Sequence, residues 1–141
     1  MVTDISSLPL LASNQMRGAV KALARWWLSR SLPSDLGSGD ICVVQSGDEG
    51  YRIAKVLRND ASVVHIALYK NRYSRPPDKV DPAILQFGRI DEGGEFGIRH
   101  LPLSRATFAS WLPIRIQHSP VADEELEGYR MWEESKGGIW G

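Results

Sequence analysis

The stretch from Gly39 to Pro77, GDICVVQSGDEGYRIAKVLRNDASVVHIALYKNRYSRPP, decides the fold of this chain. Two turn-forming clusters, SGDEG at 46–50 and ND at 59–60, divide it into apolar runs. Branched and aromatic side chains suit a pleated sheet, and Gly, Asp and Asn allow tight reversals of the backbone. The pattern therefore predicts a β-meander whose strands are Ile41–Gln45, Tyr51–Arg58 and Val63–Tyr73.

The third run predicts which side chains enter the core. Val64, Ile66 and Leu68 alternate onto one face, which we expect to be the buried one, and His65 lies on the opposite face. No cysteine, histidine or carboxylate stands at metal-ligand spacing around His65. We therefore expect His65 to be a hydrogen-bonded or solvated strand residue, with no metal site, no cofactor and no catalytic role.

The end of this run carries the candidate binding site. Interleaved tyrosine and basic side chains can anchor a protein interface, or stack on bases and neutralise phosphates. The alternative is a strand that leaves the sheet with its charges in water. The candidate contact residues are Tyr69, Lys70, Arg72, Tyr73 and Arg75.

Helical patterns flank the meander. An apolar stripe predicts an N-terminal helix over Asn14–Ser31, beside a basic stripe formed by Arg17, Lys21 and Arg25. The basic stripe could face solvent, or it could contact an acidic partner, phosphate or an anionic membrane. The Gly- and Ser-containing joint at 31–39 separates a helical appendage, residues 1–38, from a β-rich core, residues 39–141, and the two are expected to form one compact domain.

Shorter elements are predicted after the meander. They are a helical turn after Asp81-Pro82, a hairpin over 87–98 with an acidic tip at 91–95, a helix from the N-cap Ser104 to Trp111, and a strand at 114–116. A C-terminal helix after Pro120 would bury Leu126, Tyr129 and Trp132. Residues 119–141 carry six acids and two bases, so this helix could pair within the chain or face a basic partner.

Three short strands followed by a proline-containing connection resemble the start of an SH3-like or Tudor-like barrel. The sequence is thus assigned to the α+β class, as a small antiparallel β-barrel or strongly bent sheet with an N-terminal and a C-terminal α-helix. In SH3-like and Tudor-like modules an aromatic cluster between loops binds peptides or methylated side chains, which this resemblance implies as one possible use of the Tyr69–Arg75 segment.

Composition limits the classes of function. The 141 residues include 17 basic and 17 acidic side chains, so the chain lacks the basic excess that drives non-specific binding to nucleic acid. The single cysteine, Cys42, cannot form an internal disulfide and is expected to be buried. The N-terminus has neither the cation nor the apolar length of a signal peptide, which predicts a cytoplasmic protein without a membrane span.

No catalytic motif is present. The sequence contains no phosphate loop, GxSxG, HExxH or CxxC, and His65, His100 and His118 have no neighbouring nucleophile. The sequence therefore predicts a protein that is not an enzyme. An active site built from distant positions is the alternative, and a deep pocket with convergent polar groups would support it.

Two short motifs resemble the opening of immunity proteins that accompany polymorphic toxins. They are Gly39-Asp40-Ile41 and EGYRIAKVL at 49–57; with the closing EELEGYRMW at 124–132 they also resemble small bacterial proteins. The resemblance implies a non-enzymatic protein that occludes a cognate toxin's active site. We thus expect a protein-binding module, with an adaptor that binds RNA or peptide as the alternative.

Overall fold

The computed structural model describes residues 35–45, 50–60, 62–89 and 96–140. The predicted helix Asn14–Ser31, its basic stripe and the acidic tip at 91–95 lie outside these residues. Because the described part starts at Asp35, the division of the chain at residue 38 stays a prediction.

Five strands form one antiparallel sheet. They are β1 (Asp40–Val44), β2 (Tyr51–Asn59), β3 (Val63–Tyr73), β4 (Ile98–Ser104) and β5 (Ile114–His118), in the spatial order β4-β3-β2-β1-β5. The three strands of the predicted meander are confirmed within one residue at each end. The predicted strand at 114–116 is also confirmed, and it extends to His118.

The predicted barrel is wrong, and so is the strongly bent SH3-like or Tudor-like sheet. The sheet is open: β4 and β5 lie at opposite edges, and each pairs with one neighbour. The physical reason is that the central strands bury side chains on both faces, so the sheet forms a layer rather than closing around one interior. In the described part only the C-terminal helix has seven or more residues.

Two apolar clusters cover the two faces of the sheet. The prediction that Val64, Ile66 and Leu68 enter the core is confirmed, and they belong to the first cluster with Phe108. The opposite face is buried too, which the alternating pattern did not predict. There the second cluster contains Ile41, Val43, Ile53, Leu57, Ala67, Tyr69 and Val80.

Helix α1 spans Arg105–Ser110 and closes the first cluster. The Ser104 side chain accepts a hydrogen bond from the Thr107 amide, which confirms the predicted N-cap. Phe108 is fully buried, and its ring lies 6.4 Å from that of Trp111, centroid to centroid. Pro113 follows and prevents continuation of the helix.

Helix α2 spans Glu127–Ser135 and covers part of the second face. It follows a 3₁₀ turn at Asp123–Leu126, so the α-helix starts later than Pro120, where it was predicted. Tyr129 is buried and Leu126 and Trp132 are half-buried, as predicted for this side of the helix. Lys136 ends the helix in the left-handed conformation, φ 53°.

Most of strand β4 was missed because it contains a proline: of the predicted hairpin arm at 96–98 only Ile98 is in a strand, and the strand continues to Ser104. Pro102 interrupts the expected pattern, but β4 is an edge strand, where the missing N–H costs no pairing with a neighbour. The outer side of β4 is bridged by Trp140, whose amide donates to the Pro102 carbonyl while its carbonyl accepts from the Ser104 amide. The predicted hairpin strand at 87–90 is not a strand over its described residues, 87–89.

Candidate functional site

The predicted contact segment at the end of β3 is not uniformly exposed. Tyr69 is buried, its ring stacks on Phe87 with centroids 4.9 Å apart, and burial raises the pKa of its hydroxyl to about 12. Lys70 and Tyr73 are half-buried, whereas Arg72 and Arg75 are exposed. The structure therefore places the first tyrosine in the core, and the use of the segment as a contact surface stays a prediction.

A groove lies between α2 and the segment that contains Phe87. It encloses about 330 Å³ and is lined by Ala67, Phe87, Arg99, Glu124, Glu125, Glu127, Gly128 and Met131. A shallow depression beside it is lined by Phe87, Gly88, Arg89, Phe96, Gly97, Ile98 and Arg99. The two depressions share Phe87 and Arg99 and therefore adjoin, and we call them together the Phe87 groove.

A bulge in β4 fixes the position of Arg99. Ile98 pairs with Leu68 and Leu101 with Ile66, so Arg99 and His100 together oppose a single residue of β3. The Arg99 guanidinium lies 4.7 Å above the centre of the Phe87 ring, at cation–π distance. Arg99, in the bulge of the edge strand β4, therefore contacts Phe87, which lines the groove.

Gly97 allows the Phe87 segment to approach β4 closely. Its amide donates to the Phe87 carbonyl at 2.6 Å. A Cβ at this position would lie 2.9 Å from the Phe87 ring and closer still to the Leu68 carbonyl. Only glycine therefore permits this contact without displacement of the backbone.

Large apolar side chains around the groove are exposed. Met131 is 64% exposed, Phe96 42% and Ile98 37%. Single exposed apolar residues are normal on a protein surface, but a contiguous patch indicates a binding site. The groove is therefore the strongest candidate contact surface among the described residues.

The groove carries opposite charges at its two ends. The α2 end presents Glu124 and Glu127, and the opposite end presents Arg89 and Arg99. Glu125 is already neutralised, because its carboxylate lies 3.0 Å from the buried Lys55 ammonium, which also donates to the Pro120 carbonyl. The Lys55–Glu125 pair attaches the segment before α2 to the centre of the sheet.

A histidine cluster lies beneath α2, next to the groove. His65 is fully buried, and its Nδ1 lies 2.9 Å from Nε2 of His100 in a hydrogen bond between two nearly parallel rings. The rings of Tyr129 and Trp132 meet His65 edge-on at centroid distances of 4.8 and 4.5 Å. Gly128 makes this packing possible, since a Cβ there would lie 2.6 Å from Cβ of His100.

Both imidazoles are held neutral by burial. Burial lowers the pKa of His65, although the carboxylate of Asp60 opposes this effect. Burial also lowers the pKa of His100 to about 4, with a smaller contribution from His65. Asp60 Oδ2 lies 3.4 Å from His65 Nε2, but without hydrogen-bond geometry, so this nitrogen is the one buried side-chain polar atom of the described residues that lacks a partner.

The aspartate proximity sets the direction of the histidine hydrogen bond. A carboxylate accepts only, so a proton on His65 Nε2 is favoured opposite Asp60. Nδ1 of His65 then accepts from the His100 Nε2–H. Of the two predicted states of His65, hydrogen-bonded or solvated, the structure shows the hydrogen-bonded one; its full burial and its histidine partner were not predicted.

A second cluster, formed by Asp40, His118 and Arg115, joins β1 to β5. Asp40 accepts from the Gly37 amide at 2.8 Å and lies 3.1 Å from His118 Nδ1 and 3.3 Å from Arg115. Burial alone would raise the pKa of Asp40, but the Gly37 amide, His118 and Arg115 outweigh it and hold the pKa below the usual value. The carboxylate thus stays ionised although it is mostly buried.

Metal and thiol chemistry find no support in the described residues. Within them, no three His, Cys, Asp or Glu side chains are grouped so that they could hold a metal ion. Cys42 is buried, as expected, and burial raises the pKa of its thiol to about 12. At neutral pH this thiol is not a nucleophile.

Sequence reasoning missed the groove because its residues are far apart in the chain. Phe87 comes from a loop, Arg99 from the unpredicted strand β4 and Met131 from α2. One signal was available: Met131 lies off the Leu126, Tyr129 and Trp132 stripe, which places a large apolar side chain on the polar side of the predicted helix.

The comparisons with known proteins identify no relative. No family model, no curated protein and no solved structure matches this chain. In the part of the chain that the structure describes, no helix is long and apolar enough to cross a membrane.

The motifs that resemble immunity proteins have structural roles here. Gly39 has φ 94°, and Asp40 contacts His118 and Arg115 in the second cluster. Gly50 has φ 73°, and Lys55 pairs with Glu125 of the closing motif. These residues therefore have a role in the fold, and Asp40 and Lys55 are buried.

Proposed function

We propose that this protein acts by binding another protein through the Phe87 groove. The exposure of Met131, Phe96 and Ile98 around the stacked Phe87–Arg99 pair is the observation that carries the proposal. When a partner covers such a patch, apolar surface is removed from water, which favours binding. The composition of the patch is also typical of the centre of protein interfaces.

Aromatic, methionine and arginine side chains are enriched at interface cores, and lysine and glutamate are depleted there. In the groove the carboxylates line one end and Arg89 and Arg99 line the other, while Phe87, Phe96, Ile98 and Met131 supply the apolar surface. The arrangement resembles an apolar centre with a polar rim. The Tyr69 ring stacks on the Phe87 ring, and Lys70 lies beside Gly88. The predicted contact segment therefore adjoins the groove.

The proposal is a binding function rather than a catalytic one. Neither His65 nor His118 lines the groove, and each forms contacts that stabilise the packing of the sheet. A neutral, fully buried imidazole under a helix is poorly placed to exchange protons with a substrate. The groove itself offers carboxylates and two arginines but, among its described lining residues, no serine, threonine, cysteine or histidine.

A more specific form of the proposal is that the partner is a toxin that this protein neutralises. It is supported by the motifs at 39–41 and 49–57, which resemble the opening of immunity proteins of polymorphic toxin systems. On this proposal the groove would cover the toxin near its active site. No individual contact residue follows from the resemblance.

Affinity purification of the tagged chain from its native cells tests the proposal, with variants on and off the groove. Met131→Asp places a charge in the apolar patch, and the matched control Ile84→Asp alters another exposed aliphatic residue, 51% exposed, that does not line the groove. We expect one stoichiometric protein that the wild type and Ile84→Asp retain and Met131→Asp loses. A partner that is toxic when expressed alone would support the immunity function.

Two outcomes would contradict these proposals. A partner retained equally by all three chains would exclude the groove as its binding site. Salt-labile RNA in place of a protein, lost when Lys70, Arg72, Tyr73 and Arg75 become alanine, would instead support the adaptor that the sequence left as the alternative.

A further inference from the structure

We infer that the partner inserts into the Phe87 groove a segment with an apolar side chain followed or preceded by a lysine or arginine, which pairs with Glu124 and Glu127. This inference rests on the proposed function, since it specifies the chemistry of the partner at the same groove. It follows from the shape of the groove, from the placement of the two carboxylates and from the charges that are already compensated.

The shape of the groove admits one short segment. Its enclosed part, about 330 Å³, is at the lower end of the range for ligand sites, which is about 300–1,000 Å³. Phe87, Ala67 and Met131 supply apolar lining. A concave apolar site of this size fits an inserted side chain better than it fits a flat surface or a second copy of the same groove.

The helical segment fixes both glutamates beside the apolar wall. Glu124 lies in the 3₁₀ turn and Glu127 begins α2, so they are three residues apart, and Met131 follows Glu127 at a spacing of four. Residues at these spacings lie on the same side of a helix. A side chain seated against Met131 is therefore close to both carboxylates.

The groove has carboxylates without an ion-pair partner, and these favour a cation on the partner. The Glu125 carboxylate is paired with Lys55, whereas the carboxylates of Glu124 and Glu127 have no hydrogen bond or ion pair with any of the described residues. At the other end, Arg99 keeps its positive charge, but its guanidinium is held over the Phe87 ring, and no ion pair joins it to Glu124 or Glu127. Two uncompensated carboxylates therefore face the groove, and the complementary group on a partner is a lysine or arginine.

Peptide selection against the isolated chain tests this inference directly. The probe is a random peptide library displayed on phage and selected on the wild-type chain, with Met131→Asp in solution to remove peptides that bind elsewhere. We expect enrichment of an apolar residue with a lysine or arginine within about four positions. Binding of the enriched peptides, made synthetically, should weaken as salt is raised.

Charge reversal at the groove supplies the decisive comparison. For the enriched peptides, Glu124→Lys with Glu127→Lys should reduce affinity about tenfold or more, because like charges then meet across the interface. The control, Asp35→Lys with Asp78→Lys, changes net charge equally at exposed positions outside the groove. It should leave the affinity within about twofold, and selection on the reversed chain should favour acidic residues instead.

The outcomes separate this inference from the proposed function. Peptides that require Met131 but carry no basic residue, or that bind the reversed chain equally well, would overturn the inference and leave the groove as a binding site. A library with no peptide that distinguishes wild type from Met131→Asp would count against the groove itself.

Discussion

Two clusters contain the same residue types, aspartate and histidine with an arginine nearby. In one the histidine is buried and the aspartate is exposed, and in the other the reverse holds. In the Asp60–His65–His100 cluster the His65 side chain is fully buried and the Asp60 side chain is 49% exposed. In the Asp40–His118–Arg115 cluster the Asp40 side chain is 10% exposed and the His118 side chain 57% exposed. Asp60 and His65 are close together in the sequence, whereas Asp40 and His118 are far apart.

Burial decides which group carries charge in each cluster. Water is removed from the imidazole of His65, so its neutral form is favoured and the residue acts as a packing element beneath α2. Asp40 loses water too, but the Gly37 amide and two side chains solvate the carboxylate in place of water. The first cluster depends on packing and the second on hydrogen bonds and backbone geometry.

The largest expected effect comes from truncation of the two histidines. His65→Ala removes a fully buried ring that contacts His100, Tyr129 and Trp132, and should lower the free energy of unfolding by about 3 kcal/mol. His118→Ala removes an exposed ring and should cost at most about 1 kcal/mol, because Asp40 keeps Gly37 and Arg115.

Urea unfolding of both variants, followed by circular dichroism, measures this difference. Should His65→Ala fail to fold, His65→Gln keeps a polar side chain of similar reach and should still cost more than His118→Ala. Equal losses for the two histidines would show that burial does not separate the clusters as described.

The sequence predicted the central strands well because their signals are local. Apolar runs bounded by Gly, Asp and Asn specify β1, β2 and β3, and the Ser104 cap specifies α1. Closure of the sheet is not a local property. It depends on which strand occupies each edge, and the pairing of β5 with β1 joins segments about 75 residues apart.

The candidate site was less predictable for a related reason. His65 and His100 are brought together by the pairing of β3 with a strand interrupted by Pro102, and the bulge at Arg99 shifts the register by one residue. Alternation alone cannot locate such a bulge. The basic and aromatic segment at the end of β3 was visible, but burial of Tyr69 depends on Phe87, which comes from a loop.

A smaller effect is expected from the backbone of the second cluster. Gly39 has φ 94°, and a Cβ there would lie 2.6 Å from the His118 ring and 2.8 Å from the Ser119 carbonyl. Gly39→Ala should therefore cost about 2 kcal/mol of unfolding free energy. Gly37→Ala is the matched control, since nothing lies within 4 Å of its added Cβ, and its effect should be close to zero.

The unfolding free energies of both glycine variants should be measured beside those of the double variants with His118→Ala. Removal of the ring relieves one of the two clashes, so the cost of Gly39→Ala should fall in that background while Gly37→Ala stays unchanged. An unchanged cost of Gly39→Ala would mean that the strain of positive φ and the Ser119 contact account for all of it.

The smallest effect concerns pH, where the two clusters should act in separate ranges. The folded pKa of His65 and of His100 lies below the ordinary value of 6.5, so the unfolded chain binds protons first as the pH falls. Their stabilisation is complete above pH 6.5 and is lost as the pH falls below it towards the folded pKa, about 4 for His100.

Asp40 acts in a lower range because its folded pKa is also lowered but its ordinary value is 3.8. Its contribution is present above that value and is lost only as the pH falls through the folded pKa. Unfolding free energies measured from pH 7 to 3 should show both ranges: His100→Gln should flatten the upper one and Asp40→Asn the lower one. If Asp40→Asn changed the slope between pH 6.5 and 5 instead, a histidine and not the carboxylate would be the group that its cluster holds in an altered charge state.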